Sequence, residues 1–380
     1  MTDTEPGRAP GLVALDWGTS GRRAWLLDTH GRTLETRRSE HGLLATTEGV
    51  DAHDPHARAA AHEEALWEAC GDWLTSYPEA PVVACGMVGS AQGWVDSGYR
   101  TVPAPVDFSA LVPVAHRAGV LHVVPGLRVA SDATGPGDVM RGEESQLAGV
   151  LDELGERDEP FTVVLPGTHT KWVRLDRGRV TDFHTAMSGE LYGLLTRHGL
   201  LARTAEPAAS SEQAGSSEQA GSAVRDEPAV RDEPAVRDDA AFARGLAAGR
   251  SRGLAAELFG ARPLVLDGLL APASLPEYVS GVLIADEVAH LLPGTEGDVV
   301  LCGAADLCRR YAAALAVHGV RPRVLGEEVT AMGLWRIAGR AGLLGPETGS
   351  PETGSPETGS PELGPQDDVP DVRQERTPRR

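Results

Sequence analysis

The sequence has almost no lysine: Lys171 is the single one among 380 residues, against 34 arginines, and asparagine does not occur at all. A phosphate loop of the form G-x-x-x-x-G-K-[ST] needs glycine before its lysine, and Thr170 stands there instead. A protein-kinase site needs a V-A-I-K lysine and a metal-holding asparagine, so that class is excluded as well. Without asparagine there is no N-glycosylation acceptor. Aromatic residues are 4% of the chain. The four cysteines (Cys70, Cys85, Cys302 and Cys308) show no C-x-x-C spacing and are too few for a disulfide scaffold. The histidines are scattered, with no H-E-x-x-H pattern, which argues against zinc. No apolar run reaches about 18 residues, so no membrane span is expected. The opening MTDTEPGRAP is polar and proline-bearing and does not read as a signal peptide. These absences predict a cytoplasmic protein.

Acid is abundant. The formal charge is −20, which counts against a broad nucleic-acid surface and requires any anionic ligand to find a local pocket. Much of this acidity sits in two repeat tracts. SSEQAG occurs twice and AVRDEP-type units three times within 205–240, and PETGS occurs three times at the start of 346–380. Such composition cannot bury enough apolar surface to offset the entropy of ordering, so both tracts are expected to be disordered. The whole chain is 41% apolar, and what remains outside the tracts has length for two domains, expected at 11–155 and 160–345.

One device recurs in this core: an apolar strand, a turn of small residues, and a second strand. It appears at 11–28, where GLVALD ends in Asp16 and turns through Trp17-Gly18-Thr19-Ser20-Gly21. It appears again at 161–183, where FTVVL turns through Pro166-Gly167-Thr168 and resumes at Lys171. The polar strand 32–39 extends the first hairpin into a meander. Apolar spacing predicts a helix over 55–76, a buried strand over 81–86 and a helix over 142–154. Late in the chain, Val299–Leu301 leads through Cys302-Gly303-Ala304-Ala305 into a helix at 307–317.

A strand-terminal Asp16 could order a Mg²⁺-bound water, and Gly18 with Thr19 and Ser20 lets backbone N–H groups approach phosphate oxygens. An Asx-type turn closing the hairpin explains the same residues equally simply. Gly167 and Thr168 form a second cradle beside the only lysine. In an arginine-rich chain, Lys171 marks a place suited to a compact ammonium, or the chance survival of one surface lysine. Glu143 and Glu144 stand at an expected helix start, where they could act as general base or metal ligand, or simply favour the helix dipole. The loop with Gly89, Ser90, Gln92 and Trp94 offers amide and hydroxyl donors for a polar ligand. It has one residue too many for a G-x-S-x-G nucleophile elbow.

Two phosphate-type hairpins, an acid between them and a late strand–Gly-Ala–helix unit together look like the actin, Hsp70 and sugar-kinase superfamily. There, two ribonuclease-H-like α/β domains enclose ATP in a cleft. More narrowly, Ala14–Ser20, Ala84–Trp94, Asp138–Glu144, Leu165–Trp172 and Met187–Leu191 closely resemble the 2-dehydro-3-deoxygalactonokinases. The resemblance implies transfer of phosphate from MgATP to the 6-hydroxyl of 2-dehydro-3-deoxy-D-galactonate. It implies that Asp16 orders Mg²⁺, that Gly18, Thr19, Ser20, Gly167, Thr168 and Lys171 meet ATP phosphates, and that Gly303 and Ala304 line the adenosine side. Glu143 or Glu144 would be the base, with Asp138 nearby as a third choice. Arg141 and the Gly89–Trp94 loop are expected to receive the sugar acid. Its partners would be small molecules, not nucleic acid or membrane, and a homo-oligomer is left open. A kinase for another sugar or sugar acid of the same superfamily, or a non-metabolic ATP-clamp binding protein, fits the same motifs.

Overall fold

A computed structural model describes residues 9–106, 108–132, 135–155, 157–205, 237–249 and 253–345. The chain opens with β1 (Pro10–Trp17), β2 (Arg22–Asp28) and β3 (Thr33–Ser39), the expected meander, followed by α1 (Leu43–Thr46) and α2 (Pro55–Ser76). Asp54 begins α2 by accepting from the His56 and Ala57 N–H groups, with Pro55 in the first turn, where a missing N–H costs nothing. Then come β4 (Val82–Gly86), β5 (Tyr99–Thr101), β6 (Ala104–Pro105), β7 (Val112–His116), β8 (Gly119–Val123), β9 (Gly126–Val129), β10 (Asp138–Met140) and α3 (Glu143–Leu154). The second half repeats the opening with β11 (Phe161–Leu165), β12 (Thr170–Asp176) and β13 (Arg179–Ala186). It continues through α4 (Ser188–Arg197), α5 (Gly199–Ala205), α6 (Asp239–Ala248), α7 (Leu254–Leu266) and α8 (Leu275–Leu291). It ends with β14 (Val299–Cys302), α9 (Ala305–Val317), β15 (Arg323–Leu325) and α10 (Val329–Arg340).

The two large sheets have the same construction. One runs β3-β2-β1-β4-β8-β7 and the other β15-β14-β11-β12-β13-β6. In each, an antiparallel three-strand meander gains parallel strands beside its first member: β4 next to β1, and β14 next to β11. This is the expected α/β architecture of two ribonuclease-H-like units. Because β1 and β11 are central and covered on both faces, they read as unbroken apolar runs, as parallel-bonded strands do.

The layers follow from which side chains alternate to which face. Val13, Leu15 and Trp17 pack on α2, while Leu12 and Ala14 face the opposite way, toward α3 and α10. That middle layer also meets Phe161, Val163 and Leu165 of the second sheet, whose outer face carries α6, α8 and α9. The α3 and α10 backbones come close because each helix offers a glycine. A Cβ on Gly333 would stand 1.8 Å from the Ser145 carbonyl oxygen, and one on Gly149 1.9 Å from that of Val329.

Two elements cross the expected division near 155–160. Helix α10 packs on α3, β1 and β4 of the first half, and β6 pairs with β13 of the second. At the two ends of the tract expected to be disordered at 205–240 the chain is helical: Ala205 closes α5, and Asp238 caps α6 through the Ala240 and Ala241 N–H groups. Residues 206–236, and the tail expected at 346–380, lie outside the described residues.

Candidate active site

Asp16 ends β1, and the hairpin register sets it opposite Arg23 of β2. Arg23 donates to Asp16 Oδ2 through Nη2 at 2.6 Å and Nε at 3.2 Å, and to Glu327 through Nη1 at 3.0 Å. The other oxygen, Oδ1, accepts from the Cys85 thiol at 3.7 Å. Two glycines with positive φ make room beside it. A Cβ on Gly86 would lie 2.5 Å from the Trp17 carbonyl oxygen and 3.3 Å from Asp16 Oδ1, and Gly142 approaches from the start of α3. The tip residues Thr19 and Ser20 are exposed, and the hairpin turn is pinned from outside by Leu43 and Leu44 N–H groups on the Gly18 and Thr19 carbonyls.

Gly142 also turns the chain so that two acids begin α3 side by side. Glu143 Oε2 accepts from the Arg141 N–H at 3.0 Å, and its Oε1 lies 3.9 Å from Lys171 Nζ. Burial pushes the Glu143 carboxyl above its ordinary range, and the Lys171 ammonium opposes that rise. Glu144 is fully buried. Its Oε2 accepts from the Gly142 N–H at 2.7 Å, whereas its Oε1 has no partner among the described residues. Burial, followed by the neighbouring Glu143 charge, pushes Glu144 up to about 8 from 4.5.

The sign of that shift can be tested. The folded state holds a proton that the unfolded chain releases, so this group makes stability fall as pH rises from about 4.5 to about 8. Glu144→Gln is expected to keep the fold and to flatten the decline in Tm between pH 6 and 8.5. An unchanged slope in a pH series of thermal melts would show that Glu144 is ionised in the folded protein.

Lys171, 5% exposed, reaches from β12 toward β10 and the start of α3. It donates to Thr185 Oγ1 at 2.9 Å and to the Val139 carbonyl at 3.2 Å, and Thr185 in turn donates to Asp138 at 2.7 Å. The only lysine is thus held where β12 meets the β10–α3 connection, among Asp138, Glu143 and Thr185. Asp138 is engaged by Thr185 on both oxygens.

Arg141 is fixed by its own neighbours. Its Nη atoms donate to Ser97 Oγ at 2.5 Å and the Gly98 carbonyl at 3.0 Å, the guanidinium lies 4.3 Å over the Tyr99 ring, and Nε alone lacks a protein partner among the described residues. It abuts Gly89, where a Cβ would stand 3.0 Å from Nη1. In the adjoining loop, Ser90 donates back to the Met87 carbonyl, Gln92 is exposed, and Trp94 lies 6.2 Å from the His62 ring.

On the second sheet, the turn Pro166–His169 exposes Thr168 and His169, with His169 paired to Glu190 at 2.6 Å. Gly303 sits beside this turn, a Cβ there lying 3.4 Å from the Pro166 carbonyl oxygen, and Ala304 begins α9. Next to them opens a cavity of about 280 Å³, with Gly167, Ser188, Tyr192, Ile284, Leu307 and Arg310 among its walls. Walls that mix apolar side chains with a few polar groups suit a flat heterocycle joined to an anionic chain.

The fold therefore gathers the expected residues into three groups. Asp16, Glu143, Glu144 and Lys171 meet at the junction of the sheets; Gly89, Ser90 and Arg141 adjoin on the first half; Gly167, Thr168, Gly303 and Ala304 adjoin on the second. Sequence reasoning missed Arg23, Thr185 and Glu287. Arg23 had a visible signal, since a tight hairpin at Gly18–Gly21 sets it across from Asp16. Glu287 is one of two acids in the apolar run GVLIADEVAHLL.

The family described as 2-keto-3-deoxy-galactonokinase matches residues 16–337. The 2-dehydro-3-deoxygalactonokinase of Escherichia coli is 32% identical over 312 residues, which span 81% of this chain and 90% of that protein. The Rhizobium meliloti protein named "Probable 2-dehydro-3-deoxygalactonokinase DgoK1" is 37% identical over 198 residues, 49% of this chain and 56% of that one. A crystal structure from Sinorhizobium meliloti, assigned as a 2-dehydro-3-deoxygalactonokinase, superposes with a TM-score of 0.65 at 31% identity, covering 86% of this chain and 98% of the other. The match spans both sheets and every residue gathered at their junction: the chain belongs to the 2-keto-3-deoxy-galactonokinase family.

Proposed function

We propose that this chain transfers the γ-phosphoryl group of ATP to the 6-hydroxyl of 2-dehydro-3-deoxy-D-galactonate, in the cytoplasm, as a step of galactonate catabolism. The observation that carries the reading is the meeting of Asp16, Glu143 and Lys171 between two hairpin-bearing sheets, in a chain of this family.

Glu143 is the base in this reading. It is the less buried of the two acids, its side chain 25% exposed, and the Lys171 ammonium at 3.9 Å favours its ionised form. Glu144, pushed up to about 8, stays protonated at neutral pH, so the pair avoids two adjacent buried charges. Asp16 keeps Oδ1 toward Gly86 and Gly142 because Arg23 holds Oδ2. Asp16 suits Mg²⁺, which takes hard oxygen ligands, one or two carboxylates with phosphates and water being enough, and which screens phosphate charge when bound. Phosphoryl transfer passes through a loose transition state, so alignment of the two hairpins over the phosphates matters more than base strength. The sugar acid lies on the Gly89–Trp94 side, where Arg141 supplies the local positive charge that a −20 chain otherwise lacks for a carboxylate.

A coupled assay of ADP release over aldonic acids, ketodeoxy acids and neutral hexoses tests this. The ketodeoxy acid is expected to be used at least about 100-fold more efficiently than glucose or galactose, since a buried unpaired charge is costly. Arg141→Ala is expected to raise KM for the sugar acid more than KM for ATP, with some loss of Tm as Ser97 and Gly98 lose their donor. Equal kcat/KM on neutral hexoses would sink the sugar-acid assignment and leave a kinase of other specificity. Slow ATP hydrolysis indifferent to any sugar would favour a clamp protein.

A further inference from the structure

Beneath the second hairpin, α8 carries a carboxylate that stands behind the walls of the 280 Å³ cavity and ties them together. Glu287 is 6% exposed. Its Oε1 accepts from the Trp172 indole N–H at 2.7 Å, and its Oε2 accepts from the Tyr311 hydroxyl at 2.8 Å and from the Ser188 hydroxyl. An ionised carboxylate can only accept, which fixes the direction of every bond around it. Tyr311 gives its one proton to Glu287, so its 2.8 Å contact with Thr170 is made by Thr170 donating. The Thr170 oxygen is then turned to accept from the Gly167 N–H at 3.5 Å.

The same carboxylate thus reaches both segments that border the nucleotide side. Through Tyr311 and Thr170 it reaches the hairpin turn at Gly167, and through Ser188 it holds the start of α4. Those two segments touch: a Cβ on Gly189 would stand 2.2 Å from the Gly167 carbonyl oxygen. Gly167, Ser188, Gly189 and Tyr311 all line the 280 Å³ cavity, and Glu287 sits behind them.

We propose that Glu287 is a positioning residue for the nucleotide, holding the Gly167–Thr170 turn and the Ser188–Gly189 helix start in the arrangement that receives ATP phosphates. The inference rests on the reading of that cavity as the nucleotide side. Glu287→Gln preserves volume but puts an amide donor where the hydroxyls now donate, turning the relay round. Tyr311→Phe keeps the ring and removes only the link.

The experiment measures ADP binding by calorimetry, together with KM for ATP and for the sugar acid, on the full chain and on Glu287→Gln, Tyr311→Phe and the double variant. Each single variant is expected to weaken ADP binding and raise KM for ATP about tenfold, as loss of a bond to a charged group does. KM for the sugar acid should stay within about twofold, and the double variant should be no worse than the weaker single, because both break one chain. A fall in Tm with ADP affinity unchanged would overturn the proposal, reducing Glu287 to a core residue. Equal rises in both KM values would overturn it too. A parent chain that binds no ADP would overturn the nucleotide reading and this inference with it.

Discussion

Glu143→Gln is expected to lower kcat by about 10²–10⁴-fold, the usual range for loss of a positioned acid or base, with KM for ATP nearly unchanged. The amide has the carboxylate's shape, and its oxygen can still accept from the Arg141 N–H. It cannot take a proton from the sugar hydroxyl, and it no longer faces Lys171 with a charge at 3.9 Å. Single-turnover ADP formation separates the chemical step from release. The lower end of the range is the better expectation, because a loose transition state asks little of the base. A rate within about threefold of the parent would remove Glu143 from proton transfer and leave alignment and charge screening to account for catalysis.

The second large effect is expected at Asp16. Asp16→Ala should leave less than about a thousandth of the parental turnover, comparable with losing a preorganised charge aimed at the reacting phosphate. The fold should survive. Arg23 keeps Glu327 at 3.0 Å and lies 5.5 Å over the Trp25 ring, and the β1–β2 register is set by backbone bonds. Thermal melts check that, and calorimetry of ADP with and without Mg²⁺ checks the role. If the gain in ADP affinity from Mg²⁺ is the same in parent and variant, Asp16 has no part in holding the ion.

Much of this site is legible in the sequence, for physical reasons that differ by element. β1, β4 and β11 are short apolar runs bounded by glycine turns, and α2 and α3 have capped or acid-led starts, so local pattern is enough. The strands of 2–5 residues between Tyr99 and Met140 have too few residues to express a period. Helix α8 has buried residues on nearly every side, so its pattern carries no face. What pattern cannot carry is destination. Nothing local says that Lys171 turns toward Glu143 and Thr185, that Arg141 is fixed by Ser97 and Gly98, or that α10 returns to the first sheet.

That return of α10 governs how the protein is made. The face of the first sheet formed by Leu12, Ala14, Trp25 and Val83 shares its apolar cluster with Leu334, Ile337 and Ala338. During synthesis this face and α3, which covers part of it, emerge early, whereas the part of the cover supplied by α10 emerges late. Until Val329–Arg340 is made, the nascent chain is expected to present that face only partly covered. The face of the first sheet that meets the second is therefore completed by one of the last helices of the chain to be made.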